Sequence, residues 1–260
     1  MASARERIAN VKNHIRRQQI VNAVNQVRSV TVGQLANQFH ISVETVRRDL
    51  AWLEKMGRLV RMHGGARTLQ QEDLGELFKK RRNEHTDAKN IMARKALAMV
   101  ERYMTIGLDA SSSDWFLARL LPDMPLTVVT NSMEVVKEIG TRPSIQVICT
   151  GGDYCNRHGD FIGDMAQRNF RSQHIHISFV SCFGVNLLTG LWENSELNAM
   201  TKRTMIDVSQ KTVLLADSSK FGRRSPYNMA DWSQVKYVAN DGLMNEETLR
   251  RFASLGVTVI

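Results

Sequence analysis

The sequence predicts an α/β protein in two parts, a small basic head of helices and a hairpin followed by a larger body on an open, mostly parallel sheet. Three observations carry this expectation. The net charge of +9 is concentrated: residues 1–68 hold twelve Lys or Arg against four acids (Glu6, Glu44, Asp49, Glu54), while the rest of the chain is close to neutral. From residue 90 onward, helical and strand patterns alternate. Between the two, residues 69–89 turn polar and show no core pattern, which reads as a linker or a short exposed helix. The expected organisation is therefore a head at 1–68, a linker at 69–89 and a body at 90–260.

With 43% hydrophobic and 23% charged residues, the 260-residue chain has an ordinary globular composition, long enough for two domains or one large one. No apolar run approaches the roughly 20 residues a membrane-spanning helix needs, and the basic first residues lead into no apolar segment of a secretory signal. Cys149, Cys155 and Cys182 are odd in number and lack C-x-x-C spacing. That argues against a disulfide framework or a zinc ribbon and for a reducing compartment, so a cytoplasmic protein is expected. No metal site and no cofactor are expected.

Within the head, Ile15, Ile20, Val24 and Val27 recur near helical spacing and predict a first helix over roughly 7–27. Thr31 is placed to cap a second helix whose stripe is Val32, Leu35, Ala36 and Phe39. After a break at His40-Ile41, Ser42 caps a third helix over 43–56, with Val46, Leu50 and Leu53 inward and Gly57 as its stop. Two short helices joined by a tight turn form a helix-turn-helix, whose second helix fits a major groove about 12 Å wide. The residues around Arg58–Met62 alternate as a strand, and His63-Gly-Gly-Ala66 supplies a turn before Arg67. A hairpin there would be a wing. The candidate DNA-contacting residues are Thr31, Ser42, Glu44, Thr45, Arg47 and Arg48 on the helices, with Arg61, His63 and Arg67 on the wing. Hydroxyls donate to phosphates, and arginine either clamps a phosphate or pairs with guanine. A solvated charged face is the plainer alternative for Arg47 and Arg48.

In the body, strands are predicted at 104–108, 126–130, 144–150, 176–182, 212–216, 236–239 and 257–260. Helices are predicted at 91–100, 115–121, 133–139, 195–210 and 246–255. Asp109-Ala-Ser-Ser-Ser113, Thr130-Asn-Ser132, Thr150-Gly-Gly152 and Asp217-Ser-Ser-Lys220 each follow an apolar strand. Open α/β sheets bind ligands at such strand ends, where helix N-termini and hydroxyls hold anions. Serine and asparagine are also ordinary helix caps, which is the competing reading. His174 and His176 alternate along a predicted strand, but no third metal ligand is in view.

The run Ser42-Val-Glu-Thr-Val-Arg-Arg-Asp-Leu50, followed by Arg61-Met-His-Gly-Gly-Ala66, resembles the head of the DeoR family of bacterial sugar-metabolism regulators, which carries T-[VI]-R-R-D-L and H-G-G-A. The body resembles that family too. The family pattern of D-x-G-T-T-T, T-N-S, G-G, K-R-x-M and D-x-S-K-F is met by Asp109, Ser111-Ser-Ser-Asp114, Thr130-Asn-Ser132, Gly151-Gly152, Lys202-Arg-Thr-Met205 and Asp217-Ser-Ser-Lys-Phe221. An arginine (Arg81 or Arg82) and Lys89 stand where the family has an arginine and a lysine.

The resemblance implies a body similar to sugar-phosphate isomerases of the ribose-5-phosphate isomerase and glucosamine-6-phosphate deaminase type. Its effector-binding residues would be Asp109, Ser111, Ser112, Ser113, Asn131, Ser132, Gly151, Gly152, Lys202 and Lys220. Three positions depart from the pattern: the loop glycine is Ser111, the last threonine is Asp114, and the glutamate before the lysine is Asn198, with Glu196 two residues earlier.

The expected function is a DNA-binding transcriptional regulator, a repressor of a carbohydrate-catabolism operon. Its partners are a double-stranded operator and a phosphorylated sugar, and a homodimer or homotetramer is expected because helix-turn-helix operators mirror protein symmetry. It is not expected to be an enzyme and no catalytic residue is assigned. The alternative is a sugar-phosphate isomerase or deaminase with a DNA-binding head, using Asp109 and Glu196. A third reading is a repressor whose body only assembles subunits.

Overall fold

The computed structural model describes residues 4–27, 29–56, 58–62, 64–68 and 77–260. They fall into two compact units, Met1–Asp73 and Leu74–Ile260.

The first unit contains α1 (Ala4–Val27), β1 (Ser29–Thr31), α2 (Val32–Phe39), α3 (Val43–Lys55), β2 (Leu59–Met62) and β3 (Gly65–Thr68). The caps expected from the sequence are in place. Thr31 and Gln34 form a reciprocal capping box on α2, and Ser42 accepts from the Thr45 N–H on α3. His40 takes the left-handed conformation that turns the chain between the two helices. Ile20, Val24, Leu35, Val46, Leu50, Leu53 and Leu59 form the core. Ile15 and Val27, expected on the inner face of α1, are 52% and 62% exposed, because only the turn around Ile20–Val24 packs on the core. The short β1 was not foreseen. It pairs antiparallel with β3, which also pairs with β2, making a three-stranded sheet. A Cβ at Gly65 would run into the Val30 carbonyl, so glycine is required for that close pairing.

In the second unit, α4 (Phe78–Asn83) and α5 (Thr86–Leu97) precede β4 (Thr105–Leu108), α6 (Ser112–Leu120), β5 (Leu126–Thr130), α7 (Met133–Ile139) and β6 (Ile145–Cys149). Then come β7 (Asp153–Cys155), β8 (Asp160–Ile162), α8 (Asp164–Arg171), β9 (Ile177–Val180), β10 (Gly184–Asn186) and β11 (Gly190–Glu193). The chain ends with α9 (Glu196–Asp207), β12 (Thr212–Leu215), β13 (Tyr227–Ala230), β14 (Tyr237–Ala239), α10 (Glu246–Ser254) and β15 (Thr258–Val259).

Seven strands form one wholly parallel sheet in the order β15-β14-β12-β9-β4-β5-β6. Alternate strand residues point to opposite faces. Ile106, Leu108, Val128, Phe179 and Val213 pack with α5, α6 and α7 on one face, through Met92, Leu117 and Val135. Val129, Val180, Leu214 and Val238 pack with α8, α9 and α10 on the other, through Phe170, Met205 and Phe252. From β4 the chain runs outward to β5 and β6, then returns to β9 on the opposite side of β4. The strand order therefore reverses between β4 and β9.

Residues 77–89, read as a linker or a short exposed helix, are largely helical, but Phe78 and Lys89 are buried. Their polar composition hid this burial, since the Lys89 ammonium is satisfied by hydrogen bonds to the Arg81 and Glu84 carbonyls. The small antiparallel sheet β10-β11-β13, the β7–β8 hairpin and α8 were also not foreseen. Their strands have only three or four residues each, too few for a period of two to emerge.

His174 and His176 precede β9 rather than lying in it. Their rings sit 5.7 Å apart, and the His176 Nδ1 accepts from the Thr105 N–H. Among the described residues no group of three or more His, Cys, Asp or Glu could hold a metal, and no helix is long and apolar enough to cross a membrane.

Candidate functional site

The exposed face of α3 follows from the buried one. With Val46, Leu50 and Leu53 packed inward, Glu44, Arg47 and Arg48 point to solvent and Thr45 is half-buried. Ser42 Oγ lies 2.9 Å from Thr45 Oγ1, so two hydroxyls sit together at the N-terminus of the helix. Arg47 makes only a 3.9 Å pair with Glu44, both side chains being mostly exposed, and its guanidinium remains available. Thr31 is exposed, but its hydroxyl is engaged with Gln34.

Asp49 was not singled out, yet it is only 2% exposed. Its two carboxylate oxygens accept from Arg16 Nε at 2.6 Å and Arg17 Nε at 2.8 Å, and the Arg17 guanidinium stacks on Trp52 at 4.2 Å. The sequence held the signal: Asp49 falls on the same stripe as Val46, Leu50 and Leu53, where an acid needs cations from another element.

On the hairpin, Arg61 is exposed on β2 and pairs with Glu54, whose Oε1 also accepts the Arg61 N–H. Arg67 lies on β3 opposite Val60, its side chain outside the described residues, as is His63 altogether.

The body places its candidate residues at the carboxyl ends of the parallel strands, centred on the reversal between β4 and β9. Crevices at such a reversal are the ligand sites of open α/β sheets. Asp109, directly after β4, is fully buried and spans the gap: Oδ1 accepts from the Ser111 N–H at 2.6 Å and Oδ2 from the Ser181 N–H, after β9, at 2.9 Å. Lys202 Nζ on α9 lies 3.0 Å from Asp109 and 2.5 Å from Glu193, and donates to the Ser181 carbonyl. Lys220 Nζ donates to Ser181 Oγ and the Cys182 carbonyl. Ser181 thus joins Asp109, Lys202 and Lys220. Neither it nor Glu193 was singled out beforehand, because the pairing of β4 with β9 that creates the node spans more than seventy residues.

The Ser111–Asp114 turn is closed on itself. Ser111 Oγ accepts from the Asp114 N–H and donates to Asp114 Oδ2. Ser112 and Ser113 are buried in the first turn of α6. Asn131 Nδ2 donates to the Phe161 carbonyl, and Ser132 caps α7, so both are engaged beside the β7–β8 hairpin. Gly151 and Gly152 take positive φ, and a Cβ on Gly152 would strike the Ile162 carbonyl and Ala166. Packing alone therefore requires that glycine.

Electrostatics divide these groups. Burial opposes ionisation of Asp109, but the Lys202 ammonium and several hydrogen bonds hold it below the usual carboxylate range. Burial and the charge on Asp109 push Asp114 well above that range. Burial works against the charge on Lys202 too, yet Asp109 and Glu193 raise it above ordinary lysine. Lys89 is pushed down to about 8 by burial and by Lys220. Burial lifts the Cys182 thiol to about 12, so it is inert.

Residues 16–72 match the DeoR-like helix-turn-helix domain, and residues 84–242 match the DeoR C terminal sensor domain. The chain belongs to the DeoR family. The L-fucose operon activator of Haemophilus influenzae is 40% identical over 222 residues, covering 85% of this chain and 89% of that one. The glycerol-3-phosphate regulon repressor of Escherichia coli is 30% identical over 224 residues, covering 85% of this chain and 88% of that one. Among solved structures, ribose 5-phosphate isomerase A of Methanocaldococcus jannaschii aligns with a TM-score of 0.39 at 17% identity, over 51% of this chain and 53% of that one. DeoR-family proteins are DNA-binding regulators, so this DeoR-family chain is a transcriptional regulator and the enzymatic alternative falls away.

Proposed function

We propose that this DeoR-family regulator represses a carbohydrate-catabolism operon and is switched by a phosphorylated sugar at the carboxyl edge of its parallel sheet. The observation that carries the reading is the node at the β4–β9 reversal, where Ser181 gathers Asp109, Lys202 and Lys220. A buried lysine, Lys202, and a half-buried one, Lys220, beside a strand-order reversal suit an anionic, hydroxylated ligand. The names of the relatives, an L-fucose operon activator and a glycerol-3-phosphate regulon repressor, support a sugar or polyol phosphate as the signal.

In the head, Ser42, Thr45, Arg47 and Arg48 of α3 contact the major groove, while Arg61, His63 and Arg67 of the wing approach the backbone, with Thr31 at its rim. The protein works in the cytoplasm as a homodimer or homotetramer on a two-fold operator. Effector binding shifts the balance between operator-competent and operator-incompetent arrangements by its differential affinity for them.

The test is operator binding by fluorescence anisotropy, using the DNA upstream of the chain's own operon and a panel of sugar phosphates with their unphosphorylated parents. One phosphorylated sugar should weaken operator binding and raise the melting temperature while its parent does neither. A full panel without effect on either would overturn the sensing reading.

A further inference from the structure

The two lysines of the node differ in the donors they have left. An ammonium carries three N–H groups. Lys202 spends all three, on the Ser181 carbonyl at 2.7 Å, Glu193 Oε1 at 2.5 Å and Asp109 Oδ2 at 3.0 Å. It also stands between two buried carboxylates, so a phosphate approaching it would meet an excess of negative charge. Lys220 spends two donors, on Ser181 Oγ and, at 2.8 Å, on the Cys182 carbonyl. Its third N–H has no protein acceptor among the described residues.

A second cation reaches the same strand end. The Arg223 guanidinium carbon lies 5.7 Å from the centre of the Phe183 ring, and Phe183 directly follows Cys182. Its Nη2 donates to Ser219 Oγ at 3.1 Å, next to Lys220 in the chain. The side chain is exposed, and most of its five donors remain unspent among the described residues. The backbone beneath it is fixed. The Gly222 N–H donates to the Val185 carbonyl, Phe221 bridges to Val185, and the Arg223 carbonyl sits where a Cβ on Gly184 would stand, so residues 221–223 lie against β10. The acid of this turn, Asp217, spends Oδ1 on the Ser219 N–H and hydroxyl. Two cations here answer one carboxylate, the reverse of the balance around Lys202. A planar guanidinium fork beside an ammonium suits a phosphate.

We propose that the effector's phosphate is held between Lys220 and Arg223 at the carboxyl end of β9, and that Lys202 is a strut of the node that does not touch it. This rests on the sugar-phosphate reading above and adds which cations meet the phosphate.

The test is calorimetry and thermal melting of the full chain without DNA, with inorganic phosphate as the probe. Wild type binds phosphate and melts higher in its presence. K220Q and R223Q each weaken phosphate by about tenfold, the loss expected for one charge-assisted hydrogen bond. Because Arg223 is exposed, R223Q melts with wild type when phosphate is absent. R102Q removes an exposed arginine at the opposite, amino edge of the sheet, just before β4, and leaves affinity within about twofold. E193Q also leaves it within about twofold, because the carboxylate it removes is the partner of Lys202. The proposal is overturned if wild type binds no phosphate, if R223Q binds it like wild type, or if R102Q loses as much as R223Q. It is likewise overturned if E193Q strengthens phosphate about tenfold, which would put the phosphate on Lys202. Should K220Q fail to fold, R223Q and E193Q still decide the question. Phosphate held in this way, with no sugar phosphate altering operator binding, would sink the sensing reading and leave this seat standing.

Discussion

Asp49 Oδ1 lies 2.8 Å from Arg17 Nε, tying the middle of α3 to α1 instead of to solvent. Arg16 completes the clamp on the other oxygen. The acid in the Arg47-Arg48-Asp49 run is therefore buried against α1, while the two arginines before it are exposed. One short run does two jobs, orienting the helix and furnishing its free charge.

D49A leaves two partly buried guanidinium groups without their acceptor, and removing one partner of such a cluster costs about 3 kcal/mol. Urea unfolding followed on the Trp52 fluorescence should show an earlier transition for the head, and operator binding should be lost. An unchanged midpoint would mean that the clamp does not hold the helix.

R47A combined with R48A should leave stability within about 0.5 kcal/mol, because neither residue is packed. Operator affinity should collapse, and the slope of log affinity against log salt should fall by about one for each phosphate that is no longer neutralised. The measurement is anisotropy over a range of salt concentrations. An unchanged affinity would remove α3 from the interface.

S42A should cost about 1 kcal/mol of head stability through loss of the cap on α3. It should also reduce operator affinity if the hydroxyl pair with Thr45 meets a phosphate. S42G, which keeps most of the cap stability, separates the two effects: an affinity loss that persists in S42G belongs to the hydroxyl.

Much of this was readable beforehand, and what was missed shares a cause. Leu126–Thr130 and Met133–Ile139 match their elements residue for residue, since each carries its own periodicity and is flanked by a turn. Ser181, Glu193 and Asp49 acquire meaning only through partners 72, 9 and 32 or 33 residues away. Lys89 looked like linker because its anchors are main-chain carbonyls, which leave no trace in residue type. Ser111 and Asp114 were visible as departures from the family pattern, but their mutual hydrogen bonds were not.

Asp114 supplies a pH prediction. Its carboxyl is raised in the fold by burial and by Asp109, so the folded chain binds a proton that the unfolded chain releases. Stability from this group is complete below the ordinary carboxylate pKa of about 4 and falls as pH rises through the folded value. D114N removes that penalty and keeps an oxygen to accept from Ser111 Oγ. The variant should melt above wild type at pH 7, with the gap closing toward pH 4. A D114N chain that melts lower at pH 7 would show that the carboxyl is not held neutral.

Lys89 supplies the complementary one. Its ammonium is pushed down to about 8 by burial first, then by Lys220 and Arg81, with Asp217 and Glu84 pulling the other way. At pH 8 about half of the free protein carries that proton. The phosphate of the proposed effector, if it is seated beside Lys89, favours the charged form, so binding must then draw protons from solution, up to about half a proton per ligand at that pH. Calorimetric titrations at pH 8 in Tris and in HEPES, whose ionisation enthalpies differ, should therefore give different apparent heats. The difference should shrink at pH 6.5, where Lys89 is already protonated in the free chain. In K89M, which has nothing to titrate there, the pH 8 excess over pH 6.5 should disappear. Equal heats in the two buffers for wild type at pH 8 would place the bound phosphate away from Lys89.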